Sequence, residues 1–373
     1  MNKKLISSVL GVAAVGAAAY LASQAADVYV SQAGAGSDCT LVSPCSFATG
    51  MSKVLPGETV GVLGTITSDI TISKSGTEAL PITFEGGAYD GGTRTGGDVI
   101  FITGSNIVLK NTEVKNAYNF GIRTKGDNIT ISNVNVHHAI RKYYNGTTCV
   151  PGSGGWGAGI RIGPGSTNIT IEDSESSDNC GEAFGILATS DVTIRNSIGR
   201  NSWSVIFYVD QAKNIILHDN VAVCDNPGFF KSGAPSRGIL LGAEGYGSGD
   251  VSNVSVMRNT IVGCKGFSFY DQVGAKLTDS EIAFNDLALV FGAPIAFPSG
   301  TLGQNVNIHD NITAVGVTLS RTPTVTFSRT PTRTVTALIP PTVTRTPTST
   351  PVAVPTICET AVSEHFWFMG CSK

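Results

Sequence analysis

Asn168-Ile169-Thr170-Ile171-Glu172-Asp173 is followed by Asp191-Val192-Thr193-Ile194-Arg195-Asn196 and then by Asn214-Ile215-Ile216-Leu217-His218-Asp219. The three phrases start 23 residues apart, at 168, 191 and 214. Each runs polar, apolar, outward, apolar, outward, turn residue, which is the period of two expected of a strand with one buried face. A strand that returns at a fixed spacing above about 20 residues marks a solenoid, in which each coil buries its apolar face on its neighbours. The phrase also starts at Asn106, Asn128 and Asn253, with weaker copies at Asp279 and Asn305. Between phrases lies a second strand, as in Gly159-Ile160-Arg161-Ile162, Phe184-Gly185-Ile186, Phe207-Tyr208-Val209 and Gly238-Ile239-Leu240-Leu241. Inward Ile and Val should stack coil on coil, each fully buried one contributing about 1.5–3 kcal/mol. Asn and Asp should close the turns, because they tolerate the left-handed conformation and bond locally to backbone.

Two intervals break the rhythm: 128 to 168 is 40 residues, and 214 to 253 is 39. The first insertion covers Ala139 to Ala158, and the second is split between Asp225–Arg237 and Ala243–Asp250. The first insertion and the leading part of the second leave the coil at the same point, after the phrase and before the Gly-Ile strand. Both should therefore emerge from one edge of the solenoid, with the short turns 178–183 and 201–206 between them. At about 4.8 Å per coil, three coils separate them by roughly 14 Å. That width predicts a lateral groove for an extended polymer.

The ends read differently. Lys3 and Lys4 precede an apolar run from Leu5 to Ala22, and Ser23-Gln24-Ala25 supplies small residues for cleavage after Ala25. Residues 1–25 thus read as a signal peptide, with an uncleaved membrane anchor as the alternative. Ser46 to Leu55 should form a short capping helix over the first coil, with Ser46 as its N-cap and Pro56-Gly57 as its stop. The solenoid spans 26–316; from 317 to 356 the chain turns to Thr, Pro, Arg and Val without an acidic residue, an extended tether rather than a packed domain. Residues 357–373 read as a short tip closed by Cys358 and Cys371. Cys39 and Cys45 bracket a short loop and should pair. Cys224 and Cys264 follow the repeat starts Asn214 and Asn253 by 10 and 11 residues, which stacks them on adjacent coils. Cys149 with Cys180 completes the set, as expected of an oxidising compartment. Structural zinc is disfavoured because no two cysteines stand in Cys-x-x-Cys spacing. With 25 basic against 28 acidic residues, there is no basic patch to recruit nucleic acid.

The repeats, the N-terminal plug and the phrases Gly-Ile-Arg, Asn-Ile-Thr-Ile and Tyr-Val-Asp resemble the secreted right-handed parallel β-helix superfamily, the pectate-lyase-like fold, over Asp27 to Ala314. Val205 to Asp210 followed by Gly238 to Glu244 looks like a bacterial subgroup of it. The resemblance implies an all-β solenoid, but the superfamily holds polysaccharide lyases, glycoside hydrolases, epimerases, esterases, phage tailspikes and non-catalytic adhesins. The Asn-Thr-Asp, Asp-Asp and Gly-His-Gly motifs of polygalacturonase-type hydrolases are absent, as is the Arg-x-Pro-x-x-Arg segment of the main pectate lyases. The Asp-rich calcium cluster of lyases with a lone lysine base is absent too.

The expected groove still holds usable chemistry. Uronate β-elimination needs a cation or calcium to neutralise the carboxylate, and a base to remove the acidified proton. Arg141, Lys142, Lys231 and Arg161 are candidates for the first task, and His138, Lys231 or Tyr208 for the second. Tyr144, Trp156 and Trp203 are candidate sugar platforms, with Trp203 alternatively a lid on the core; Arg237 and Glu244 join the binding set. Hydrolysis would instead use two carboxyls, drawn from Glu182, Asp210 and Glu244. Glu172, Arg195 and His218 share one outward position on three coils and read as a surface charge ladder. The expectation is a secreted, monomeric, carbohydrate-active β-helix, foremost a lyase of an acidic polysaccharide, with no cofactor required by the sequence and calcium as a candidate. The tail would give it a means of cell-surface attachment. The alternatives are a non-catalytic glycan-binding surface protein and, third, a glycoside hydrolase.

Overall fold

The structure, a computed structural model, describes residues 26–150, 157–231, 233–245 and 249–313. The expected signal peptide, the Thr/Pro-rich tether, the expectation that the tail is disordered, and the Cys358–Cys371 pair lie outside the described residues, as does Trp156.

The phrase residues form strands because an asparagine or aspartate brackets them at a left-handed corner. Asn106, Asn128, Asn168, Asp191, Asn214, Asn253, Asp279 and Asn305 all have φ between 49° and 61°. A second left-handed residue closes most of these strands, including Asn111, Asn133, Asp173, Asn196 and Asp219. The result is a parallel β-helix with three sheets of twelve, nine and nine strands. We call these sheets I, II and III, in the order in which each coil visits them. Sheet I holds the phrases, for example Thr167–Glu172 and Ser190–Arg195. Sheet II holds short strands such as Glu175–Ser177. Sheet III holds the Gly-Ile strands Ala158–Ile162, Glu182–Leu187, Val205–Asp210, Arg237–Ala243 and Lys265–Asp271.

Register is unbroken across both insertions. Ile131 pairs with Ile171, and Leu217 with Val256, so the extra residues are absorbed wholly outside the strands. Inside, Leu109, Ile131, Ile171, Ile194, Leu217 and Val256 form one continuous ladder, each fully buried. In sheet III, Phe184 and Phe207 stack with ring centres 4.9 Å apart. At the corner between sheets I and II, Asn220, Asn259 and Asn285 form an internal amide ladder. The Asn259 carbonyl accepts from the Asn220 backbone N–H and side-chain amide, both at 3.0 Å, and Asn285 repeats the first bond to Asn259 at 2.9 Å. This ladder satisfies polar groups where the chain turns inside the core.

The open end of the first coil is covered as expected. The helix Phe47–Lys53 is capped by Ser46, whose hydroxyl accepts from Thr49 N–H at 3.2 Å. Phe47 stacks on Phe84 of the third sheet I strand at 6.0 Å. Disulfides join Cys39 to Cys45, Cys149 to Cys180, and Cys224 to Cys264. On the surface, Glu172, Arg195 and His218 are in register, and Arg195 binds Glu172 at 2.9 Å.

Candidate functional site

Sheet III is where the outward residues stop being ordinary. Phe184, Ile186, Phe207 and Val209 belong to the core, whereas Val205, Tyr208 and Leu240 form a separate apolar cluster on the outer face. Strand register sorts that outer face into rows. Glu182, Val205, Arg237 and Lys265 make one row. Arg161, Gly185, Tyr208, Leu240 and Ser268 make the next. Leu187, Asp210, Gly242 and Tyr270 make the third. The two glycines are gaps in this pattern, and each gap is used. A Cβ at Gly185 would stand 2.9 Å from Arg161 Nε and 3.0 Å from Glu182, and one at Gly242 would stand 3.0 Å from the Tyr208 hydroxyl.

Over these rows lies a cavity of about 520 Å³, within the size range of small-molecule sites. Arg161, Glu182, Tyr208, Asp210, Lys231, Arg237 and Glu244 all line it, so seven of the residues singled out from sequence meet in one place. Phe120, Leu187, Val205, Leu240 and Tyr270 supply apolar wall. Ser204 and Gln272 complete the lining.

The electrostatics are those of charge forced out of water. Glu182 is 3% exposed, and burial pushes its carboxyl up to about 7 although the Arg161 guanidinium is bonded to it. Asp210 is wholly buried; burial raises its carboxyl above the usual range, against a hydrogen bond from Glu244 N–H to its Oδ1 at 3.0 Å. Tyr208 is raised, first by burial and then by the Asp210 and Glu244 carboxylates, so its phenol keeps its proton. Lys231 is lowered, by burial and then by Arg237, and its ammonium sits 4.8 Å over the Trp203 ring. Arg161 Nε and the Ser204 hydroxyl are buried polar atoms without a hydrogen-bond partner, whereas the Tyr208 hydroxyl is engaged by the Asp210 and Glu244 carboxyls. Two such atoms at one cavity are what a polar ligand would satisfy.

The groove between the two insertions is not there. The insertions do leave the same edge, but they lean together: Cys149 N–H donates to Gly228 O at 3.1 Å, and Tyr144 stacks on Phe229 at 5.8 Å. The Cys149–Cys180 disulfide draws the first insertion along the axis toward the second. The roofed turns are consequently buried, with Asn179 and Ser202 at 0% exposure. Coil spacing measures where the insertions are rooted and not how far they reach, which is why it predicted a gap.

Five predicted residues do not line the cavity. Arg141 donates from Nε to Asn116 O at 3.4 Å and also bonds Arg94 O; Lys142 donates to Asn119 Oδ1 at 2.8 Å. Both basic residues therefore reach back to preceding coils, and neither is among the cavity's lining residues. His138 packs at the foot of the first insertion, its Nδ1 2.8 Å from His137 Nδ1, its ring edge-on to Tyr144. Burial and the neighbouring His137 lower its pKa. Tyr144 is spent on Phe229, and Trp203 is 7% exposed and part of the core. The cavity residues that sequence reading passed over are mainly apolar. Their signal was the unbroken run Val205-Ile206-Phe207-Tyr208-Val209, which marks a strand covered on both faces rather than one alternating between core and solvent.

Among the described residues no group of three or more His, Cys, Asp or Glu is placed to hold a metal ion, and Glu182 is engaged by Arg161. Nor, among those residues, is any helix long and apolar enough to cross a membrane.

No curated protein matches the chain. Among solved structures, a pectate lyase (Pel9A) is similar at 17% identity, covering 74% of this chain and 80% of that one, with a TM-score of 0.49. An alginate lyase from Paenibacillus sp. str. FPU-7 shares 14% identity over 76% of this chain and all of that one (100%), with a TM-score of 0.44. PfbA, a surface adhesin of Streptococcus pneumoniae, shares 13% identity over 69% and 71%, with a TM-score of 0.49. At these identities the likeness is one of fold. The family described as "Right handed beta helix region" matches residues 67–236 and 152–329, well over half of the sequence, and with the coil geometry above this places the chain in the right-handed β-helix family.

Proposed function

We propose that this is an extracellular polysaccharide lyase that cleaves an acidic, uronate-containing chain in the sheet III cavity. The observation that carries the reading is the meeting of Lys231, Arg161, Arg237 and a protonated Tyr208 around one apolar patch. In β-elimination a base removes the proton next to the carboxylate, the bond to the leaving sugar oxygen breaks, and that oxygen takes up a proton. Lys231, with its lowered pKa, suits the base. Arg161 and Arg237 suit the carboxylate, whose neutralisation makes the adjacent proton acidic. Tyr208 suits the proton donor rather than the base, because burial and two carboxylates hold its proton on. Val205 and Leu240 offer an apolar floor for a sugar face. The three disulfides agree with an oxidising, extracytoplasmic setting.

A hydrolytic reading has one observation in its favour: Asp210, raised by burial, adjoins Glu244. The secreted domain should be incubated with a panel of uronans. Ultraviolet-absorbing unsaturated ends that vanish in Lys231→Ala, with a rate loss of about 10²–10⁴, support the lyase. New reducing ends without that absorbance replace it by a hydrolase. Binding without either product leaves a non-catalytic glycan-binding protein.

A further inference from the structure

Beside the main cavity lies a second recess of about 340 Å³, entered between Arg237, Lys265 and Lys231 and bounded by Ser204 and Ser236. No carboxyl group lines it. Arg237 and Lys265 are directly opposite each other in register on adjacent parallel strands. Like charges so placed repel and destabilise a sheet. Elsewhere several cations are paired with carboxylates of neighbouring coils: Arg195 with Glu172, Arg258 with Asp219, Arg123 with Asp98, and Arg161 with Glu182. Among the described residues Arg237 and Lys265 make no ion pair. The Ser204 hydroxyl, 8% exposed and without a hydrogen-bond partner, also faces this recess, whereas the Ser236 hydroxyl already donates to Ser202 O.

We propose that Lys265 and the Ser204 hydroxyl, with Arg237 shared between the two cavities, form an anion subsite that holds a second acidic group of the polymer, a carboxylate or a sulfate ester, next to the sugar that occupies the main cavity. A guanidinium, an ammonium and a hydroxyl donor suit either group, since both present several acceptor oxygens to charge-assisted hydrogen bonds. The main cavity itself runs from the strand of Arg161 to the strand of Tyr270, four coil steps or roughly 19 Å along the axis, and it shares Ser204, Lys231 and Arg237 with the recess. A polymer laid along the solenoid would present charge on successive sugars to both. This rests on the polysaccharide reading above and adds a substrate class to it: a polyanion, rather than a chain with one acidic sugar.

Lys265 lies outside the main cavity, so Lys265→Gln and Lys265→Glu test the subsite without touching the reacting groups. Binding of oligogalacturonate, of a sulfated galactan oligosaccharide and of the unsulfated galactan should be measured by calorimetry for wild type and both variants. The expected result is a charged ligand whose affinity falls about tenfold in Lys265→Gln and further in Lys265→Glu, with the neutral galactan unchanged. Which charged ligand responds distinguishes carboxylate from sulfate. Equal affinity of wild type and Lys265→Glu for both charged ligands, or no binding of either by wild type, overturns the subsite. Turnover separates this from the lyase reading: unsaturated products with an unaltered KM in Lys265→Glu sink the subsite alone, and charge-dependent binding without products sinks the lyase alone.

Discussion

Replacing Glu182 by glutamine isolates what it costs to keep a carboxylate under the sheet III cavity. Glu182 is held at about 7, against an ordinary 4.5, because burial outweighs the attraction of Arg161. A carboxyl whose folded pKa lies above its unfolded one binds more protons in the folded state between those two values. Stability must then fall as pH rises from below 4.5 through about 7, and level off beyond it. A displacement of this size is worth about 3 kcal/mol. Glutamine has nearly the same shape and never ionises, so Glu182→Gln should lack this limb. The two proteins should be about equally stable near pH 4, and the variant more stable by about 3 kcal/mol near pH 8. Denaturant unfolding with the disulfides intact checks it, provided both proteins give the same m-value. Taking the difference between them at each pH cancels the titrating groups that do not interact with Glu182, leaving its own titration together with its coupling to Asp210 and Glu244. A difference independent of pH would refute the reasoning. A wild type that gains on the variant as pH rises toward 4.5, and stays ahead above it, would show instead that Arg161 attracts the carboxylate more than burial penalises it.

Three further outcomes follow from the geometry. Asn259→Ala strips partners from Asn220 and Asn285 inside the core, and should cost about 3 kcal/mol in denaturant unfolding, since each buried donor left unpaired costs about 1–3 kcal/mol. Replacing Cys149 and Cys180 together by serine frees a link spanning 31 residues; loop entropy predicts a loss of about 3–4 kcal/mol, and proteolysis should then begin within 139–158. Gly242→Ala places a methyl 3.0 Å from the Tyr208 hydroxyl, and should depress uronan cleavage while moving stability by less than about 1 kcal/mol.

The winding was legible in sequence because two independent rules coincide at the same residues. Period-two alternation marks the strand, and the Asn or Asp before it marks the left-handed corner, as at Asn168, Asp191 and Asn214. Together they made a ruler accurate enough to place Cys224 against Cys264 across a 40-residue separation. The cavity was partly legible for a related reason: Arg161, Glu182, Tyr208 and Asp210 interrupt otherwise apolar strands. What could not be read was direction. Periodicity shows where an insertion leaves the coil, but the contact of Tyr144 with Phe229, 85 positions apart in the chain (144 to 229), decides which way it leans. Arg141 and Lys142 failed as site candidates on the same account, because free carbonyl and amide oxygens of earlier coils captured them. Val205 and Leu240 were hidden by their own chemistry, since an outward apolar residue in an apolar run looks like core. The amide ladder left a trace in the spacing of Asn220, Asn259, Asn285 and Asn311, a second repeat running one residue behind the corner positions Asp219, Arg258, Phe284 and Asp310.

The rows on sheet III have a consequence for how such a surface changes over generations. Within sheet III each strand pairs only with the strand of the coil before and of the coil after it, so a row position is an address that mutation can rewrite with little disturbance two strands away. Specificity along the polymer is then modular. Duplicating one coil would lengthen the binding face by about 4.8 Å and add one slot to every row, and an exchange such as Lys265 for glutamate would rewrite one slot alone. A β-helix surface of this kind can be extended or edited a rung at a time.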